Sequence, residues 1–579
     1  MAIQNPLYNK KRVLNNIRNS HKTQTKLIQK MTNKNCKTCA QSFEITPEDE
    51  DFYKKLGIPY PTNCPDCRKQ RLISWRNERK YYQRKCDLCN KQVISIHSQD
   101  KPYPIYCNSC WWGDKWDPTE FAQEIDFTKP FFPQFIELQS KVPQLAIIND
   151  NGVQSENCEY CQDFAFGKDC YLVTGGWRIR DSYYSNNINH GQNLVDCSSV
   201  NIHCELVYES ISCQRLYNCK FMQNSVNCHD CAFGFDLKGC GDCTCCIGLR
   251  QKEFHIFNKP YSKEDYFEKL KEFDTGSYEN LEKTKKEFYK FIEKHPRKNL
   301  NQVRCQDCEG NDLFNCKNTL GFDTFNAEHC KFFEKGDHPL YCYDIYQSGN
   351  SQWCCESITP DDSYMTYYTA WCWKDKNVAY SDNCHSSENL FGCISLRHKR
   401  HCILNKQYSP EEYQVLRKRL VEHMTQTGEW GEFFPMSMSP FAYNETIAQD
   451  YFPLTKEKAE TLGLKWKDED KKEYLKQTHT IPDHITETPD SITKETLSCT
   501  ECSKNYRIIP EELKFYRTQN LPIPHACPDC RNAKRIELKA PSKLFDRTCD
   551  NCKTPIQTIY SPDKPEKIYC EKCYTKEVC

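Results

Sequence analysis

Long hydrophobic runs are missing from this sequence. No apolar stretch approaches the ~20 residues of a membrane span, and the first residues, MAIQNPLYNKKRVLNNIRNSHK, lack the apolar segment of a signal peptide. No membrane association and a cytoplasmic location are therefore expected. Net charge is missing too: 79 Lys+Arg balance 79 Asp+Glu. The distribution is polarised, since residues 1–35 hold eight Lys/Arg and no acid, and 22 basic against 10 acidic residues occur up to Trp116, leaving the remainder at about −12. No Gly-rich phosphate loop, nucleophile elbow or His-Glu zincin motif is present, so the common enzyme signatures are excluded. Apolar residues make up only 38% of 579, a length too great for one core. Several domains are expected, and small ones need support other than oily interiors.

Cysteine is what the chain has in abundance, 41 in all. In a reducing compartment dense cysteine signals metal ligands or buried thiols rather than disulfides. C-x2-C pairs stand at Cys36/Cys39, Cys64/Cys67, Cys86/Cys89 and Cys107/Cys110, and again at Cys499/Cys502, Cys527/Cys530, Cys549/Cys552 and Cys570/Cys573. Every offset between the two sets is 463, without an insertion, and Phe52-Tyr53, Pro59 and Ile105-Tyr106 recur at Phe515-Tyr516, Pro522 and Ile568-Tyr569. One module is used twice. Two such knuckles complete a tetrahedral four-thiolate shell, so about four zinc ions are expected, with iron the less favoured metal. Sequence adjacency pairs the first knuckle with the second and the third with the fourth, an interleaved cross-brace being the alternative. With all four positions taken by thiolate, a structural rather than catalytic role follows. Arg68 and Arg531 directly follow CPDC and are expected to favour the thiolate form.

The order CxxC, FY, then PxPxxCPxCR, found from Cys36 to Arg68 and from Cys499 to Arg531, resembles treble-clef or zinc-ribbon proteins. RNERKYYQRKCD, WWGDKWDP, CILNKQYSPEEY, YNETIAQDYFPLT and NYRIIPEELKFYR extend the likeness to an uncharacterised zinc-ribbon protein family of candidate-phyla bacteria with reduced genomes. That resemblance implies zinc-ribbon modules and no established activity.

Between the modules lies a second duplication, CIGLRQKEFHIFNKPYSKEDY from Cys246 against CISLRHKRHCILNKQYSPEEY from Cys393, offset 147, an offset shared by Cys158/Cys161 and Cys305/Cys308. Within each half cysteines step by 12: Cys219, Cys231, Cys243; Cys228, Cys240; Cys330, Cys342, Cys354; Cys372, Cys384. Short aromatic or β-branched runs between Gly, Asn and Asp read as brief strands, two per coil of about 24 residues, in a right-handed β-solenoid whose thiols stack inside. Extra metal at Cys158/Cys161/Cys170 or Cys228/Cys231/Cys240/Cys243 is the alternative. Helices are expected at YSKEDYFEKLKEF, at Leu281–His295, and from Pro410 with Ser409 as N-cap and Glu412 at N3.

The expected fold class is therefore multidomain and mainly β: duplicated four-cysteine modules flanking a cysteine-rich, β-solenoid-like middle with capping helices. The parts run 1–35 (basic arm), 36–116 (double zinc-ribbon module), 117–157 (aromatic connector), 158–274 (first solenoid half), 275–304 (helical linker), 305–427 (second half), 428–498 (Pro/aromatic connector and charged linker) and 499–579 (second module).

RKQRLISWRNERKYYQRK, from Arg68, interleaves eight cations with Trp75, Tyr81 and Tyr82, a composition suited to single-stranded nucleic acid. The candidate contacts are Arg68, Lys69, Arg71, Trp75, Arg76, Arg79, Lys80, Arg84 and Lys85. A structural helix or strand tying two metal sites together is the alternative. Three Trp in CWWGDKWDP are expected to pack in a core. The function expected is a zinc-binding, non-catalytic scaffold or adaptor engaging RNA or a ribonucleoprotein through its basic N-terminal region, with protein partners on the solenoid. The alternatives are a purely structural interaction module, or a solenoid enzyme acting on a carbohydrate or nucleotide, with Asp361, Asp362 and Glu209 as candidate carboxylates.

Overall fold

The computed structural model describes residues 32–149, 155–158, 160–331, 343–344, 355–356, 358, 362–468, 473–539 and 541–578. Most of the basic arm, Asp361, and Cys342 and Cys354 of the expected 12-residue step lie outside them. The chain divides into two compact units, Met1–Cys67 and Arg68–Cys579.

In the first unit Thr32–Asn35 pairs antiparallel with Ser42–Ile45. The helix Pro47–Leu56 follows, because Thr46 and Asp49 cap each other reciprocally, Pro47 occupies the first helical position, and Gly57 (φ 67°) supplies the left-handed residue that ends it. Its apolar cluster is small: Phe43 and Ile45 beside Cys36 and Cys64.

In the second unit parallel strands dominate. Gln162–Ala165, Thr174–Arg180, Asn186–Val195, Ser198–Tyr208, Ile211–Gln223, Ala232–Phe235, Gly241–Ile247 and Glu253–Ile256 follow one another, and the edge strand Lys259–Pro260 closes the sheet antiparallel. Thr174 pairs with Asn186, Lys220 with Ala232 and Ala232 with Thr244, a 12-residue step interrupted only by a bulge that sets Ser198 opposite Ile211. The described residues of the second duplicated half also pair in parallel, with a step of 11 at Glu309↔Leu320 and of 12 at Val378↔Leu390.

Parallel neighbours therefore lie 12 residues apart, where a repeat of about 24 was expected. The cause is a backbone rhythm of three. Asp163, Phe166, Asp169 and Leu172 all have φ near +50°, as do Asp181, Tyr184, Asn187, His190, Asn193 and Asp196. A left-handed residue at every third position turns the chain sharply, and four of them fall within each 12-residue step of the register. Asn and Asp accept this conformation readily; Leu172 and Tyr184 adopt it at a cost that the surrounding ladder must offset.

Residues facing inward from successive strands form a narrow apolar cluster of Cys158, Cys161, Phe164, Val173, Ile188, Val200, Cys213, Leu216 and further cysteines. A second cluster lies on the outer side, where Tyr208, Phe221 and Phe233 meet Leu281 and Phe288 of the helix Tyr278–Ile292 and Tyr516 of the C-terminal region. The helix Pro410–Gln426 has the expected box, Ser409 accepting from the Glu412 amide while the Glu412 carboxylate accepts from Ser409 N–H. The stretch after Gly428 is ordered by docking: the Glu429 carboxylate accepts from Phe131 N–H (2.8 Å) and Phe132 N–H (2.7 Å), and Phe433 and Phe434 are buried. Among the described residues no helix is long and apolar enough to cross a membrane.

Candidate metal centres

The first knuckle of each set is a tight turn after a short strand, whereas the second stands at the start of a helix, Pro65–Ile73, Asn108–Trp111, Pro528–Leu538 or Glu571–Val578. Sixteen Sγ atoms gather into four sets: Cys36/Cys39/Cys64/Cys67, Cys86/Cys89/Cys107/Cys110, Cys499/Cys502/Cys527/Cys530 and Cys549/Cys552/Cys570/Cys573, each within 4.8 Å throughout. Sets join knuckles adjacent in the sequence, not interleaved ones. Sulfur separations are 3.6 Å for Cys39–Cys64, 3.9 Å for Cys89–Cys107, and 3.7 Å for both Cys502–Cys527 and Cys552–Cys570. A tetrahedral ion with zinc–sulfur bonds of ~2.3 Å sets its ligands about 3.8 Å apart. The donor sets therefore fit such an ion, and the metal's identity is left to the chemistry of four thiolates.

Backbone amides supply the charge stabilisation. Cys107 N–H donates to Cys86 Sγ (3.3 Å), Cys527 N–H to Cys499 Sγ (3.2 Å) and Cys570 N–H to Cys549 Sγ (3.2 Å). Burial opposes ionisation of Cys36 and Cys499, yet amides of the facing knuckle and of their own turn pull these thiols down to about 6 and about 7. The fourth set is the most open, with Cys552 exposed and Cys570 and Cys573 half-buried. Among the described residues no further set of three or more such donors converges, so the extra sites considered at Cys158/Cys161/Cys170 and at Cys228/Cys231/Cys240/Cys243 do not have the geometry of a converging shell.

The arginines after CPDC hold carboxylates. Arg531 Nε contacts Asp196 (2.9 Å) and its Nη2 contacts Glu512 (3.3 Å), while Arg535 holds the other oxygen of Asp196 (2.7 Å); all four side chains are buried. Arg68 pairs with Asp344, with Glu356 at 3.8 Å, and Arg71 bridges Glu356 (2.6 Å) and Glu432 (2.7 Å). Asp196 and Asp344 stand at corresponding places in the two halves, 50 residues before Cys246 and 49 before Cys393, the bulge accounting for the difference. These docking pairs went unread in the sequence, whose only signal for them was the invariance of Arg after CPDC in both modules.

The remaining candidate contacts divide by exposure. Arg68, Arg71, Trp75 and Arg76 are buried. Trp75 packs on Phe433 and Phe434, and Arg76 lies over Trp371 while pairing with Glu78 (2.6 Å) and Asp163 (3.0 Å). These four serve the interior and present nothing to a phosphate. Lys69 lies over the Tyr451 ring, Arg79 reaches Asp529 (3.3 Å), Arg84 donates to Ser98 O (2.9 Å), and Lys80 and Lys85 are exposed. Trp111 and Trp116 are buried with the Arg397 guanidinium 5.2 Å from each ring. Glu209 pairs with Lys285 (3.1 Å).

No family model matches the chain, and no curated protein matches it. Among solved structures, one from Desulfovibrio desulfuricans G20, provisionally assigned as an acetyltransferase, aligns over 50% of this chain and 79% of its own at 10% identity. Its TM-score of 0.09 carries no argument about fold or activity.

Proposed function

We propose that this protein is a zinc-stabilised, non-catalytic scaffold or adaptor, in which zinc-ribbon modules near both ends of the sequence flank a β-solenoid middle. The observation that carries the reading is the convergence of sixteen cysteines into four all-thiolate sets. When bound, zinc supplies cross-linking and charge neutralisation; with four thiolates it keeps no position for substrate. The knuckle turns orient the sulfurs, and their amides hold the thiolate charge. Register supports the solenoid reading, since parallel neighbours only 12 residues apart leave no room for a crossover helix.

RNA or a ribonucleoprotein is the partner class we favour, contacted by the basic arm together with Lys69, Arg79, Lys80, Arg84 and Lys85, the cations outside the buried network. The test is crosslinking of the full chain to RNA in cells, followed by salt titration of binding by Lys80→Glu/Lys85→Glu. The reading expects weaker retention and a shallower salt slope in that variant. Retention equal to the parent protein at every salt concentration would remove RNA from the account while leaving the metal sites intact.

A further inference from the structure

Six of the inward-facing cysteines are neighbours. Cys219, Cys231 and Cys243 occupy one column, because Lys220 pairs with Ala232 and Ala232 with Thr244. Cys228 and Cys240 occupy the adjoining column, following His229↔Gly241, and Cys246 lies one corner beyond Cys243. None is more than 2% exposed. Each thiol donates to the backbone carbonyl two residues before it, at 3.1–3.6 Å.

The duplicated half provides an internal control. At the same positions, 147 residues on, stand Thr366, Asp375, Val378, Ser387, Leu390 and Cys393. They are equally buried, and Val378 and Leu390 stack in register as Cys231 and Cys243 do. The coil thus closes around ordinary side chains, so packing alone does not demand five further sulfurs in the first half.

The geometry points to a second kind of metal site, a sulfur-lined column at the C-terminal end of the first half that takes monovalent copper. Rows of thiols one strand spacing apart, about 4.8 Å, cannot converge four at a time as zinc requires. No three of these donors lie within 4.8 Å of one another. A soft ion satisfied by two thiolates suits rows of donors, and thiolate selects Cu(I). Each ion displaces two thiol protons and forms two copper–sulfur bonds, with no change of oxidation state. At the end of the column His255 stands in register with Cys243, is half-buried, and accepts from Cys246 Sγ through its carbonyl (3.5 Å).

The test uses the full chain with its zinc in place, titrated anaerobically with Cu(I) held by a colourimetric chelator while released zinc is counted. The expected result is uptake of about two to three Cu(I) per chain without zinc release, given two thiolates per ion. Cys231→Val/Cys243→Leu, which installs the residues of the second half, is expected to cut that uptake to about one ion, held by Cys228 and Cys240, with zinc content and circular dichroism unchanged. Cys240→Ser, a smaller change, is expected to lower it by about one ion. Copper uptake matched by zinc release in the parent protein, or uptake unaltered in either folded variant, would overturn the proposal.

Discussion

Cysteine does two different things in the two parts of this molecule. In the four cysteine sets a turn after a strand and the start of a helix bring thiols together four at a time from knuckles up to 28 residues apart, as Cys527 N–H reaching Cys499 Sγ illustrates. In the middle, strand register lines thiols up every 12 residues, in rows that do not converge on one point among the described residues. The residue type is the same; the backbone decides whether sulfurs converge four at a time or stand in rows. The lesson is that cysteine count alone says little about metal content, whereas spacing that permits convergence says a great deal.

The comparison breaks first where a quartet is opened. Cys527→Ala should remove one of four zinc ions and leave residues 499–530 without their cross-link, because zinc binding is folding free energy for a site this small, of order 10 kcal/mol. Hydrogen exchange should rise throughout that segment while the strands from Asn186 to Ile247 stay protected. Equal loss of protection in both regions would mean that the two parts do not differ as described.

A smaller effect is expected at the seam between part and part. Asp196→Ala leaves Arg531 and Arg535 buried with only Glu512 to answer two guanidinium groups, a loss of about 3–5 kcal/mol, measurable by chemical denaturation with zinc content retained. Next comes Asp375, the counterpart of Cys228. Burial raises its carboxyl to about 8 against one Ser387 N–H bond (2.7 Å). A raised acid holds its proton more tightly folded than unfolded, so its contribution is full below about pH 4 and is lost as pH rises toward 8. The parent protein should therefore weaken between pH 5 and 8, and Asp375→Asn should flatten that slope by on the order of 2–4 kcal/mol. The smallest effect belongs to a lining thiol: Cys213→Ala should cost about 1 kcal/mol and change no metal count.

The quartets and the helix caps were legible in the sequence because both are written locally, in C-x2-C turns and in Ser409-Pro410-x-Glu412. The 12-residue stacking of cysteines was legible as well, but the coil length was not. Its corners are left-handed residues at every third position, and the Asn/Asp signature of such corners is diluted by Leu172, Tyr184 and Phe221. In the basic segment the burial of four side chains was not legible for a different reason. Arg68, Arg71 and Arg76 face carboxylates hundreds of residues away or across a fold whose register was unknown, and composition alone cannot distinguish a cation awaiting phosphate from one already held by Asp344.

Native mass spectrometry of the full chain, paired with elemental analysis, tests the account most directly. Four zinc ions per chain, removed in step with unfolding of the terminal modules under a strong chelator, is the result predicted. A chain that carries essentially no thiolate-bound metal, and whose modules resist exchange equally well after chelation, would contradict it.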